Sequence, residues 1–172
     1  MPDIEINASL TRMLDTNGKV VGNLPDFARD QTELLRLYRT LVLTRTFDTK
    51  AIALQRTGRL GTYASSLGQE AVAVGAAAAM RKDDALLPSF REHGGQLWRG
   101  VTPKELLLYW GGDERGNNFA GPRGDFPNCA TVGSHLAHAV GVALAFRLRG
   151  EKRAAVCVFG DGPRPKGISP KR

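Results

Sequence analysis

The sequence predicts an α/β fold: a parallel sheet flanked by helices and preceded by an extended N-terminal arm. Three observations lead to it. Two short apolar runs, ALLP at 85–88 and AAVCVF at 154–159, read as buried parallel strands. Stretches with helical spacing lie between and before them. The second run ends in Gly160-Asp161-Gly162, a tight turn of the kind found at the carboxyl end of a strand.

Each element follows from local signals. Residues 1–30 carry weak periodicity and turn signals at Asn17-Gly18, Gly22-Asn23 and Pro25, and are expected to form the arm. Asp30 followed by Glu33 has the capping-box pattern. Leu34, Leu35, Tyr38, Leu41 and Val42 then recur at helical spacing, so a helix is expected from about residue 31 to Gln55 or Arg56, closed by Gly58. The Gly/Ser-rich stretch GRLGTYASSLGQEA (58–71) leads into an Ala/Val helix ending near Met80. SFREHGGQLWRG after the first strand is expected to be a loop or short helix.

Thr102 is an N-cap candidate, with proline at the first helical position and Glu105 completing a capping box, for a helix to about Trp110. Glycine, proline and asparagine dominate from Gly111 to Asn128, which predicts a loop. Residues 134–149 form an apolar helix with a basic last turn, stopped by Gly150, and the strand after it is expected to be fully buried.

At 172 residues the chain fits one domain, and 42% hydrophobic with 24% charged residues is ordinary globular composition. Two cysteines, Cys129 and Cys157, are too few for a disulfide scaffold or a cysteine-rich zinc site, so a reducing, cytoplasmic setting is expected. MPDIEINAS is not the pattern of a secretory signal, and the longest apolar run, AVAVGAAAAM, falls well short of a membrane span. The net charge of +7 invites a nucleic-acid reading, but Arg164, Lys166, Lys171 and Arg172 crowd the last ten residues. The remaining 20 basic against 17 acidic residues leave +3, interspersed and without a recognition motif. Neither nucleic acid nor membrane is expected as a partner.

From the residues alone, Gly160-Asp161-Gly162 has two readings. It is a plain turn, or a site where glycines admit a bulky anion and Asp161 holds a divalent cation that bridges a diphosphate. The surrounding motifs favour the second. GRLGTYASSLGQEA, LLPSFREHG, ATVGSHLAHAVGVALA and VFGDG fall in an order that resembles the alpha subunit of the thiamine-diphosphate-dependent 2-oxo acid dehydrogenases. This subunit belongs to the decarboxylating first component of the pyruvate or branched-chain complexes. The resemblance runs from about Val20 to Gly162 and includes NGKVV and LYRTLVLTRTFD.

The resemblance implies an incomplete thiamine-diphosphate-binding fold, with thiamine diphosphate and Mg2+ as cofactors. By it, Gly160, Asp161 and Gly162 open the cofactor motif, and Asp161 is the metal ligand. Phe90 and Arg91 contact the diphosphate, with phenylalanine where relatives often have tyrosine; an arginine suits the task because its guanidinium grips phosphate oxygens by paired hydrogen bonds. The segment from Ala130 to Gly133 lies by the aminopyrimidine, with Ala130 and Val132 as binding positions, although Gly133-Ser134 reads equally as helix capping. His93 is implied at the rim of the active site and Tyr63 on the substrate side, as weak catalytic candidates.

Glu70 is expected to be structural, an early helix acid near the positive end of the dipole. His135 and His138, three apart on one helix, lack a third ligand and are expected to be packed or interfacial. The implied partners are a beta subunit of the same component, a lipoyl-bearing acyltransferase and a small 2-oxo acid, pyruvate ahead of branched-chain acids.

The resemblance stops inside a motif. Relatives continue the turn with small residues, a helix, a strand and an Asn-Asn whose asparagine binds magnesium. Here Pro163 and Pro165 intervene and the sequence runs out in ISPKR. The expectation is an arm at 1–30, the front part of a cofactor-binding domain at 31–162 and a foreign basic tail at 163–172. A truncation or frame change would produce this, giving either an enzyme subunit or an inactive fragment that retains subunit contacts.

Overall fold

The computed structural model describes residues 12–160. Asp161 and Gly162 and the tail lie outside the described residues. The chain divides into two compact units, one reaching Arg36 and the other beginning at Leu37.

In the first unit, residues 12–36 open on a small turn built around Asp15. Its carboxylate accepts the amides of Asn17 at 2.9 Å and Lys19 at 2.8 Å. Gly18, at φ +78°, takes the left-handed position that the Asn-Gly signal requires, and Leu14 bridges Val20 in antiparallel sense. A 3-10 turn, Asp26–Arg29, precedes helix α1 (Gln31–Arg56). Asp30 caps α1 by accepting the amides of Thr32 and Glu33.

In the second unit the rest of α1 is followed by α2 (Glu70–Ala78), β1 (Ala85–Leu87), α3 (His93–Arg99), α4 (Pro103–Trp110), α5 (His135–Leu148) and β2 (Ala155–Cys157). The strands pair in parallel, with Ala85, Leu86 and Leu87 opposite Ala155, Val156 and Cys157. The fold is therefore α/β with a small parallel sheet, as the strand runs predicted. The α4 capping box forms in full: Thr102 Oγ1 accepts the Glu105 amide while Glu105 accepts the Thr102 amide at 2.7 Å.

The core gathers Phe47 and Ala51 of α1, Leu60, Tyr63, Val101, Leu106 of α4 and Phe119. Beside it α2 meets α3 through two glycines. A Cβ on Gly94 would come within 2.9 Å of Val74 Cγ2, and one on Gly95 within 2.9 Å of the Ala73 carbonyl, so larger residues would push the helices apart. An ion pair locks the sheet. Arg99 grips Asp125 at 2.6 and 2.8 Å and also donates to the carbonyl of Asp84. Asp125 in turn accepts the Leu86 amide, and Asp84 accepts the amide of Ala154, which fixes the entry to β2.

Three expectations need correction. The strand ending at Phe159 was expected to be fully buried, yet Ala155–Cys157 is only half-buried. Among the described residues β1 is its sole strand neighbour, so its other edge has no ladder to join. The 111–128 loop contains a 3-10 turn, Glu114–Asn117, seeded by Asp113 accepting the Arg115 amide. The Ala/Val helix ends at Ala78 rather than Met80. Cys129 and Cys157 are both free thiols. Among the described residues no helix is long and apolar enough to cross a membrane.

Candidate functional site

The site is built by the segments that leave the two strands. The chain exits β1 through Ser89–Glu92 and exits β2 through Val158–Gly160, so both segments emerge at the carboxyl ends of parallel strands. Val132, Gly133 and His135, leading into α5, form a third wall, and Gln69 and Val72 also line the space. Together they enclose a cavity of about 350 Å3. Strand carboxyl ends are where open parallel sheets receive ligands, because the loops there converge while the sheet stays rigid beneath them.

Among the described residues Arg91 is the one cation that lines this cavity. Its Nη1 donates to the Ser65 carbonyl, and its guanidinium lies 5.2 Å from the centre of the Phe90 ring. One anchored nitrogen leaves most of its five N–H donors for an anion. Glu92 also borders the cavity but takes the hydroxyl of Ser89 at 2.5 Å. His135 bonds the Val158 carbonyl through Nε2 at 2.8 Å, tying the α5 wall to the β2 wall, while its buried Nδ1 has no partner among the described residues. A carbonyl only accepts, so Nε2 carries the proton and Nδ1 is a bare acceptor in the neutral ring.

The structure brings Phe90, Arg91, Val132 and Gly160 to one cavity. Ala130 is exposed and lies outside its lining. Tyr63 and His93 lie elsewhere, inside the core, where they form a buried relay. Trp110 Nε1–H donates to His93 Nε2 at 2.9 Å, His93 Nδ1 faces the Tyr63 hydroxyl at 3.5 Å, and that hydroxyl donates to Asp48 at 2.9 Å. The imidazole stacks on the Tyr63 ring, centres 5.3 Å apart. Burial holds His93 near a pKa of about 4, and burial, reinforced by Asp48, drives the Tyr63 phenol above its ordinary value. Both are neutral at pH 7 and neither reaches the cavity.

Glu70 pairs with Arg45, and this hydrogen bond draws its carboxyl down to about 2 against the opposing effect of burial. His138 is exposed, and among the described residues no group of His, Cys, Asp or Glu is arranged to hold a metal. Sequence reasoning missed Gln69, Val72, Ser89, Glu92 and Phe159 as cavity residues. It also missed Asp48, although an acid on the helix face shared by Thr44, Phe47 and Ala51 was a readable sign of a buried polar function.

The fold and cavity define a parallel α/β protein with a cavity at its strand ends. The chain belongs to the dehydrogenase E1 component family, whose model matches residues 38–169. Relatives include pyruvate dehydrogenase E1 component subunit alpha of Acholeplasma laidlawii, 39% identical over 86% of this chain and 43% of the relative. The proteins of the same name from Staphylococcus aureus and Mycoplasma genitalium are 34% and 30% identical, over 96% and 95% of this chain and 45% and 46% of theirs. The chain thus spans a little under half the length of the curated relatives it matches.

Proposed function

We propose that this chain supplies the alpha-side wall of a thiamine diphosphate site in a 2-oxo acid dehydrogenase, with pyruvate as the substrate and a lipoyl-bearing acyltransferase receiving the acyl group. The observation that carries the reading is the cavity at the strand ends that Phe90, Arg91, Val132 and Gly160 share. Its chemistry fits the cofactor: a guanidinium with free donors suits a diphosphate, and the apolar Val132 suits a flat ring. His135 Nδ1, buried and without a partner among the described residues, is a polar atom that a ligand could engage.

When bound, thiamine diphosphate supplies the electron sink that decarboxylation needs. This chain's residues bind and orient. Arg91 holds the anionic end, with Phe90 backing its guanidinium, and Val132 excludes water beside the ring. Gly160 admits close approach beyond β2, and Asp161 and Gly162, which follow it in sequence outside the described residues, belong to the same proposed motif, with Asp161 as the residue that would hold Mg2+.

A beta subunit completes the site in this reading, and the setting is cytoplasmic. The division into an arm at 1–30, a cofactor-binding part at 31–162 and a tail at 163–172 belongs to the same proposal. One observation favours the alternative of a non-catalytic module that keeps subunit contacts. Val140, Leu144 and Leu148 leave an apolar flank of α5 exposed.

Calorimetry of thiamine diphosphate with Mg2+, on this chain mixed with its beta partner, tests the proposal. A hydrogen bond to a charged group is worth about 1.5–3 kcal/mol, so Arg91→Ala should weaken binding by about tenfold to a hundredfold. Equal affinity of variant and wild type would overturn the reading. Binding without decarboxylation of any 2-oxo acid would favour the non-catalytic module.

A further inference from the structure

We infer that Asp48, buried on α1 and outside the cavity, is a positioning residue that holds Arg91 in place through the Ser65-Ser66 turn. Asp48 is 2% exposed and both its oxygens are occupied. Oδ1 accepts the Tyr63 hydroxyl at 2.9 Å, the Ser66 amide at 2.7 Å and the Ser66 hydroxyl at 3.2 Å, while Oδ2 accepts the Ser65 hydroxyl at 2.7 Å. One carboxylate thus fixes two consecutive residues of a segment with no helical or strand ladder of its own.

The carbonyls of those two residues face the cavity wall. Ser65 offers its carbonyl to Arg91, and Ser66 offers its carbonyl to the amide of Gln69 at 2.9 Å. Arg91 and Gln69 both border the cavity. The chain of contacts runs from α1 to the turn and from the turn to the guanidinium, with no gap.

A carboxylate is suited to this position because it has only acceptor sites and every neighbour is a donor. An amide at 48 would keep the shape but turn one acceptor into an N–H₂ group facing the Ser65 hydroxyl. The Ser65 hydroxyl would have to turn from donor to acceptor while it already accepts the Leu67 amide at 3.2 Å, so the Ser65 side of the turn would loosen first, and that is the residue whose carbonyl anchors Arg91. Burial strengthens the hold on the Tyr63 and Ser66 side, where all three bonds lie in the interior, while the Ser65 bond is part-buried.

The value of this anchoring for ligand binding rests on the proposed diphosphate site, so the test has two arms. In the first, the Arg91 guanidinium of the full chain is followed by nitrogen-15 NMR, with Arg91→Lys to assign it. Wild type should give resolved, slowly rotating Nη groups. Asp48→Asn should collapse them into an averaged signal, and Ser65→Ala, which deletes the Oδ2 donor together with the acceptor of the Leu67 amide, should do so partially. An anchored signal in both Asp48→Asn and Ser65→Ala, or an averaged one in wild type, overturns the inference. Should Asp48→Asn not fold, Ser65→Ala alone decides.

In the second arm, Mg2+-pyrophosphate is titrated into wild type, Asp48→Asn, Arg91→Ala and the double variant. Loss of one anchoring hydrogen bond predicts about fivefold weaker binding for Asp48→Asn, and no further loss when it is added to Arg91→Ala. Additive losses overturn the coupling. No effect of Arg91→Ala, or no binding by wild type, sinks the diphosphate reading and leaves the NMR arm to decide the role of Asp48.

Discussion

His93 makes the core sensitive to acid in a narrow window. Its ring is fully buried, stacks on Tyr63 and accepts the Trp110 indole N–H, an acceptor role that a protonated ring cannot fill. Burial lowers its pKa from 6.5 to about 4. The unfolded chain therefore takes up a proton as pH falls below about 6.5, while the folded chain resists until about pH 4, and stability is lost across that interval. Each pH unit between the two values is worth about 1.4 kcal/mol, so the full loss is about 3 kcal/mol, of which about 2 kcal/mol falls between pH 7 and pH 4.5. Glu70, held near 2 by Arg45, loses its contribution only below its ordinary value of 4.5, so the upper part of the window belongs to the histidine. Urea unfolding of wild type and His93→Gln at pH 7, 6, 5 and 4.5 is the assay. Glutamine can still accept from Trp110 but does not titrate, so the variant should be less stable at pH 7 and flatter with pH, the gap narrowing by about 2 kcal/mol at pH 4.5. Parallel curves would refute the buried neutral imidazole.

Two further outcomes follow from the core. Arg99→Ala leaves the Asp125 carboxylate buried without its cation and should cost about 3–5 kcal/mol, read by urea unfolding at pH 7; a loss under 1 kcal/mol would show that the pair is dispensable. Gly116 has no room for a side chain, since a Cβ there would lie 2.3 Å from the Tyr109 amide nitrogen and 2.5 Å from the Glu105 carbonyl. Gly116→Ala should therefore cost about 1–3 kcal/mol by shifting backbone rather than a side chain, and thermal melting checks it.

Much of the element order was readable because punctuation and periodicity agree. Asp30 before α1, Thr102-Pro103 with Glu105 at α4, and Gly150 after α5 each state a boundary in local chemistry. Burial was less readable. The leucines and tyrosine that announce α1 stand largely exposed, Tyr38 at 64%, whereas Thr44, Phe47, Asp48 and Ala51 form its buried face. An apolar stripe tells that a helix forms, but which flank finds a partner depends on residues far off in sequence. His93 shows the same limit. Two positions after Arg91 it reads as a rim residue, yet the turn into α3 carries it inward to Trp110, a contact 17 residues away that no local pattern encodes. Gly160 and Val132 both line the cavity, and each lies three residues from a regular element whose direction the sequence already gives.

The walls of the cavity are held unequally, and that bears on how a ligand would act there. The β1 wall stands on the Arg99–Asp125 pair, on the Asp48 turn and on strand residues that are almost wholly buried. The β2 wall rests on three half-buried residues, one flanking strand and the His135 bond to Val158. Local stability follows such differences, because the free energy of opening a segment is set by the buried contacts that opening would break. An anion gripped by Arg91 on the firm side would meet Gly160 on the loose side. Its binding energy would then go partly into ordering the β2 wall, and any contact that steadies this strand from outside would tighten the same site.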